Sequence, residues 1–564
     1  MTSFALLFAS WVMPLHFPPW VSWHNEVLAF LSATALGWAL WRSVRQGGAQ
    51  TRAAEIPRAS ILFIFLGVVV FVQAATGLIT FRGDALVLEV YLLLCLLALV
   101  AGFSWSRANS SDVPSASKGA NDLLQAMAWT LLAGALASAL IALVQVFDVW
   151  SDAAWIVRMY DVRRPGANLG QPNHLATLLL MGIASLLYLH EAKRLSAVSA
   201  LLGFLVLSAV LAIAESRTGV LSFLLLCAWW AAGRARAGLT VSPWVVAIAA
   251  AWFMLAYVTW PVLMSSTQVL EAGAQINAQP GMRLVVWPQL LEAVAMRPWL
   301  GWGLREVSEA HNAVASNYSL SEPYTYSHNI VLDLALGVGL PLTALLVLAV
   351  TVWVVGRVRS ARSLIPWYCL AAVLPLAVHS MLEFPFSYAY FLVPALFLVG
   401  VLEARSGAKP FARLTAKPMA AGLLIATAAG AWSVVEYLRI EEDFRVARFE
   451  ALRIGRTQDN YERPTVYLLT QLDALLHGAR IVPRPGMSAA DLELAREVAL
   501  RFPWPATQNR YALSLALNGN PTEGLRQLQV IRALHGEAAY LQIKANWETL
   551  GESKYELLGQ LALP

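Results

Sequence analysis

"EPYTYSHNIVLDLALGVGLP", Glu322 to Pro341, changes character at its midpoint. A polar, tyrosine-rich segment closes in Ser327-His328-Asn329, and an apolar run of membrane length starts there. Hydrocarbon about 30 Å thick needs roughly 20 apolar residues per spanning helix. Runs of that kind recur from the N-terminus to about Tyr437 and then stop. With 58% hydrophobic and 13% charged residues and a mean hydropathy of +0.59, the 564-residue chain is too apolar for soluble domains. The fold class expected is all-α and polytopic, with about 13 transmembrane helices, near 3–15, 25–42, 60–80, 85–104, 122–147, 173–190, 196–214, 217–233, 243–263, 328–356, 365–382, 386–404 and 418–436. The first run, "SFALLFASWVMPL", lacks a basic flank and a small-residue cleavage site, and reads as a retained helix.

Lysine and arginine cluster in every second loop: Arg42, Arg45, Arg52 and Arg58; Arg107 and Lys118; Lys193 and Arg194; Arg234 and Arg236; Arg357, Arg359 and Arg362; Arg405, Lys409, Arg413 and Lys417. By the positive-inside rule those loops face the cytoplasm, as does the N-terminus. The net charge of +5 therefore reports topology and not nucleic acid. The three cysteines, Cys95, Cys227 and Cys369, lie apart in apolar runs, which argues against disulfides and thiolate metal sites. The expected organisation is a transmembrane domain, 1–436, with outer loops 148–172 and 264–327, and an outer helical region, 437–564. Within that region "NRYALSLALNGNPTEGLRQLQVIRALHG" has the small and large apolar spacing and the Gly-Asn turn of a tetratricopeptide-like hairpin, or of a generic helical bundle.

Polar complexity is concentrated on the outer side. Arg217, in "AIAESRTGVLSFLLL", is either an arginine snorkelling to the interface or a costly charge held for a partner. Arg283 opens an apolar, aromatic stretch of the large loop, where an ordinary surface charge is the plain alternative. Two guanidinium forks facing one site hold a diphosphate without a metal. His328 is a structural hydrogen-bonding group or a general base. Tyr324, Tyr326, Ser327 and Asn329 crowd it, and a neutral imidazole accepts a proton from an attacking hydroxyl. Asp333, five residues on, points about 140° away round a helix. In "RRPGANLGQPNHLATLLL", Gln171, Asn173 and His174 stand at a span mouth and suit sugar hydroxyls, although helix capping is the simpler account of Asn173. "HSMLEFPFSYAYFL" adds His379, Glu383, Tyr388 and Tyr390, with aromatic-belt anchoring as the plain reading of the tyrosines. The chain has no Asp-x-Asp, His-Glu-x-x-His, Walker loop or Gly-x-Ser-x-Gly. A transporter of lipid-linked sugars is expected to show internal repeats and mid-membrane charges, and little of either is present.

"GQPNHLATLL", "SRTGVLSF", "RPWLGWGL", "YSHNIVLDLALGVGLP" and "HSMLEFPFSYAYFL" occur in an order that resembles the O-antigen ligase and polymerase superfamily. The first and last look most like its protein O-oligosaccharyltransferase branch, of PglL type. The resemblance covers about residues 150–405. It implies a GT-C-like membrane glycosyltransferase of the bacterial inner membrane, with its active site facing the periplasm. Such an enzyme takes a glycan from an undecaprenyl diphosphate carrier, with neither metal nor other cofactor, and passes it to a hydroxyl of a pilin-like protein. Ligation to the lipid A core and polymerisation of O-antigen are the alternatives. Carried over by motif, His328 matches the family's essential histidine, Arg217 and Arg283 its arginines, and Gln171 and Tyr388 its glutamine and tyrosine. Tyr326 joins the expected substrate-binding set from its place beside His328, and His328 is expected to end a flexible outer loop.

Overall fold

A computed structural model describes residues 1–46, 53–108, 114–150, 153–158, 164–266 and 281–564. Arg52, the side chain of Lys118 and parts of both outer loops lie outside the described residues. The helices are α1 (Thr2–Val12), α2 (Trp23–Gln46), α3 (Ser60–Ala75), α4 (Arg82–Ala108), α5 (Pro114–Val146), α6 (Pro172–Glu191), α7 (Ala197–Ile213), α8 (Arg217–Ala237) and α9 (Pro243–Ser266). They continue with α10 (Arg283–Met296), α11 (Val307–Ala315), α12 (Ile330–Val338), α13 (Leu340–Ser360), α14 (Leu364–Ser380), α15 (Ala389–Arg405) and α16 (Ala416–Leu452). The last stretch carries α17 (Thr470–Ala479), α18 (Ala489–Arg501), α19 (Pro505–Leu517) and α20 (Pro521–Ser553). Among the described residues, eight helices are long and apolar enough to cross a membrane: α2, α4, α5, α6, α8, α9, α13 and α16. The other expected spans also fall on helices, but on shorter ones, α1, α3, α7, α14 and α15.

One expected span is divided. The run 328–356 forms α12 and α13, broken at Gly339, whose φ of 79° is open to glycine. A Cβ there would stand 2.3 Å from the Trp299 carbonyl oxygen. His328 thus does not begin a helix: Asn329 is the N-cap of α12, accepting from the Val331 and Leu332 amides at 3.0 and 3.1 Å.

Packing separates two compact units. The first comprises Met1–Leu66, Val90–Ala278 and Val350–Ala431. Its centre is α6, rich in small and aliphatic residues and packed against α5, α7, α8 and α14. A two-stranded ladder also belongs to it: β1 (Ala53–Pro57) runs antiparallel to β2 (Pro410–Thr415). Glu55 bonds Arg413 at 3.2 Å and Arg107 at 2.7 Å, so three loops that share the basic signature meet on one side of the unit. The sequence reading gives no sign of this ladder.

The second unit comprises Gly67–Glu89, Gln279–Ala349 and Trp432–Pro564. Its loop portion is ordered and not slack: from residue 281 it forms α10 and α11, which share a core of Val286, Leu290, Val307 and Ala310 with α12's Leu336. The C-terminal segment holds this core. Asp84 receives both prongs of Arg501 at 2.6 and 2.8 Å, Ser321 donates its amide to Ala533, and Asn312 pairs with Gln527. The helical hairpin expected over 509–536 is present as α19 and the first half of α20, and Gly536 kinks α20 at the hairpin's end.

Asp84 is fully buried, and removing one partner strands the other's charge. Asp84→Ala should lower stability by about 3–5 kcal/mol, read as a fall in unfolding temperature of purified protein. Glu493→Ala, which breaks the solvent-facing pair with Arg496, should cost no more than about 1 kcal/mol.

Candidate active site

In the first unit, three polar corners meet. Ser216, the N-cap of α8, accepts from the Gly219 amide and donates to Asn173 Oδ1 at 2.6 Å. Asn173 Nδ2 donates to the buried Glu383 at 3.3 Å. Asn173 is therefore a bridge between loops, and the N-cap position of α6 belongs to Gln171, with Pro172 at N1. The Gln171 side-chain oxygen is buried without a hydrogen-bond partner among the described residues. An acceptor left so costs about 1–3 kcal/mol unless a ligand or water reaches it.

His174, a turn deeper, is enclosed by aromatic rings. Its Nδ1 lies 3.2 Å from the Tyr390 hydroxyl, and its ring meets Tyr388 edge-on at 4.5 Å. Tyr388 is the N-cap residue of α15. The approach to α6 is itself fixed. Asn168 donates to Val12 and Trp155 at 2.8 Å each and accepts from Val157, while Gln145 holds Ala167 at both its amide and its carbonyl. Arg217 is the first residue of α8, and its side chain is exposed. A cation at a helix N-terminus opposes the macrodipole instead of balancing it, so the end favours an anion from two sources at once.

In the second unit, Arg283 repeats that arrangement as the first residue of α10. One turn on, Trp287 donates its indole N–H to the Ser327 carbonyl at 2.8 Å, tying the helix of Arg283 to the residue before His328. The same residue is held from its other side, because the Ser327 amide donates to Asp333 at 2.7 Å. Asp333 thus acts on the backbone beside His328. His328 has φ of 62°, a left-handed conformation uncommon outside glycine, asparagine and aspartate. Its ring stacks on Tyr324 at 4.5 Å and 29°. Tyr326 is bonded through its hydroxyl to Arg305, whose guanidinium also lies over the Tyr326 ring at 5.2 Å and within 3.6 Å of Asp84.

Trp287, Arg305 and Asp84 escape a motif-led reading. Trp287 was signalled by its place four residues after Arg283, and Asp84 by being a carboxylate at the mouth of an apolar run. His311 escapes it too. Its Nε2 lies 2.9 Å from Ser321 Oγ and 3.1 Å from Gln289 Oε1, under the edge of Tyr324. Burial lowers its pKa to about 4, and burial raises that of Glu306, the N-cap residue of α11, to about 7.

The site elements carry known signatures. Residues 165–190 match a model described as protein glycosylation ligase, 202–347 one described as O-antigen ligase, and 367–549 one described as virulence factor membrane-bound polymerase, C-terminal. The chain is 25% identical to the general O-oligosaccharyltransferase of Acinetobacter baylyi, over 95% of this chain and 92% of that one. It is 27% identical to the ComP-specific O-oligosaccharyltransferase of the same organism, over 62% of each. The resemblance to the O-antigen ligase and polymerase superfamily, and to its protein-glycosylating branch, is borne out by these matches.

Neutral His311 in the folded chain, against an ordinary value of 6.5, means that the unfolded chain takes up the proton first. His311 should therefore cost stability as pH drops from about 6.5 towards 4, about 2 kcal/mol at pH 5, while Glu306, held protonated by burial, contributes in the opposite direction over the same range. Unfolding measured at pH 7 and pH 5 should show wild type losing about 2 kcal/mol relative to His311→Gln between the two pH values.

Proposed function

We propose, from the premise that this chain resembles the O-antigen ligases and their protein-glycosylating branch, that it transfers a glycan en bloc from an undecaprenyl diphosphate carrier to serine or threonine hydroxyls of a periplasmic protein such as a pilin. The observation that carries the reading is positional. Gln171, Arg217, Arg283, His328 and Tyr388 all stand at, or within two residues of, the N-terminal start of a helix, namely α6, α8, α10, α12 and α15. N-terminal ends present backbone N–H groups and positive partial charge, which suits a diphosphate. The names of the two Acinetobacter relatives support a protein acceptor.

In this reading the chain crosses the inner membrane about 13 times, with its N-terminus in the cytoplasm and residues 437–564 in the periplasm. Arg217 and Arg283 bind the diphosphate and neutralise the charge that grows on it as it departs. His328 accepts the proton of the acceptor hydroxyl. The hydroxyl oxygen forms its bond to the anomeric carbon as the bond from that carbon to the phosphate oxygen breaks, and undecaprenyl diphosphate leaves. Gln171, Asn173, His174, Tyr326 and Tyr388 form the surroundings of the glycan, Gln171 through its open acceptor and His174 by backing Tyr388. No metal takes part. The left-handed backbone at His328, held by Trp287 and Asp333, keeps the base from drifting.

The match of 202–347 to O-antigen ligase favours a second reading, ligation to the lipid A core, which differs only in acceptor. The two part in a strain lacking its own ligase and supplied with a lipid-linked glycan and a candidate pilin. Glycan on the pilin is the expected result; glycan only on the lipopolysaccharide core overturns it.

For purified protein in EDTA, His328→Ala should cost about 10²- to 10⁴-fold in transfer rate, with donor binding nearly unchanged. Arg217→Lys and Arg283→Lys should weaken both binding and turnover, since an ammonium keeps the charge and loses the fork. Near wild-type transfer by folded His328→Ala, or activity that returns only with added magnesium or manganese, would count against this chemistry.

A further inference from the structure

Helix α10 is apolar on two opposite faces, which is out of place for a surface helix in water. Leu284, Pro288, Leu291 and Ala295 are exposed, and at 100° per residue they fall within about 60° of one another. Opposite them Val286, Leu290, Ala293 and Val294 are buried in the loop core. The polar side chains of the helix turn away from this outward stripe. Gln289 is buried, bonding Leu320 and His311, and Glu292 bonds Asn317 and Tyr318 at the flank. Leu284 is 62% exposed and Leu291 58%. Single exposed leucines are ordinary, but an unbroken stripe marks a surface made for an apolar partner.

The stripe runs on into the turn after α10, where Trp299 is 75% and Leu300 71% exposed. That turn is fastened to the start of α13. The Leu340 amide donates to the Pro298 carbonyl at 2.8 Å, and the Gly339 backbone presses on Trp299. Helix α13 is one of the eight of membrane length, it is nearly uncovered, and its outward Leu340, Leu345 and Leu348 extend the same apolar surface. A turn bonded to the first residue of a span lies at the membrane boundary, and tryptophan is a residue of that boundary.

We infer that α10 is an interfacial helix whose outward stripe, with Trp299 and Leu300, is sunk in the hydrocarbon of the leaflet where α13 begins. The occupant of this face is lipid, and not water, a second copy of the chain or a partner protein. Arg283 then starts a helix that lies in the bilayer surface, at the depth of lipid phosphates. The inference depends on α13 as a span and not on the chemistry proposed above.

Fluorescence quenching of the full-length chain in phospholipid nanodiscs tests it. Cys95 and Cys369 are buried, so a Cys227→Ala background accepts an environment-sensitive label at Leu291→Cys, at Leu300→Cys and, for comparison, at Glu552→Cys. Lipids carrying a mid-chain nitroxide should remove most of the signal at 291 and 300 and little at 552, and iodide in the buffer should do the reverse. Iodide quenching at 291 and 300 as strong as at 552 overturns the inference in favour of water. Protection from both quenchers overturns it in favour of protein. Should Leu291→Cys fail to fold, Leu284→Cys and Leu300→Cys read the same stripe. Quenching reports depth whether or not glycan is transferred, so its failure is distinct from failure of the proposed function.

Discussion

A backbone in hydrocarbon must satisfy its own hydrogen bonds, and every other feature of this chain follows from that constraint. Helices supply the bonds internally except at their ends, where four N–H groups remain open. The ends are therefore where polar side chains find open partners. The chain places Arg217, Arg283, the candidate base His328 and the amides of Gln171 and Asn173 at or beside N-terminal ends, where open donors and a favourable dipole come at no cost to a span. The small supports follow the same economy: Ser216, Asn329 and the Asp333 carboxylate close local N–H groups beside the candidate residues Arg217 and His328.

Within the second unit, the C-terminal segment is structural material for the loop that bears His328. Arg501 of α18 fills Asp84, which in turn faces Arg305, and Arg305 holds Tyr326 two residues before the histidine. The helices α18 and α20 also pack against α11. A chain cut after its last span would keep every motif and lose the framework on which one of them rests.

Hydropathy is local, so the helices were legible: every expected span but the divided run 328–356 falls on a single helix, because burial in lipid is decided residue by residue. The motifs were legible for a similar reason, being short and contiguous. What escaped depends on partners distant in sequence. The run divides at Gly339, two residues before Pro341, and what fixes the break in place is the close approach of the Trp299 carbonyl, 40 residues earlier. Asp84 and Arg501 are 417 residues apart, and the surroundings of neither name the other. Asn173 looked like a cap because it begins a helix, whereas Ser216 and Glu383 give it another task. The expected count of spans exceeded the eight helices that meet both length and apolarity, since α1, α3, α7, α14 and α15 are shorter than the apolar runs that contain them.

The β1–β2 ladder joins residues that leave the ribosome far apart in time. Glu55 and Arg413 are separated by 358 positions, a delay of roughly 20–70 s at about 5–20 residues per second. Through that interval β1 has an open edge, kept harmless by its five-residue length, its glutamate and its closing proline. It finds its partner only after α15 has been inserted and β2 has emerged. The ladder is thus a clasp that closes late but not last: every helix from α3 to α15 lies between its strands, and α16 and the C-terminal segment still follow.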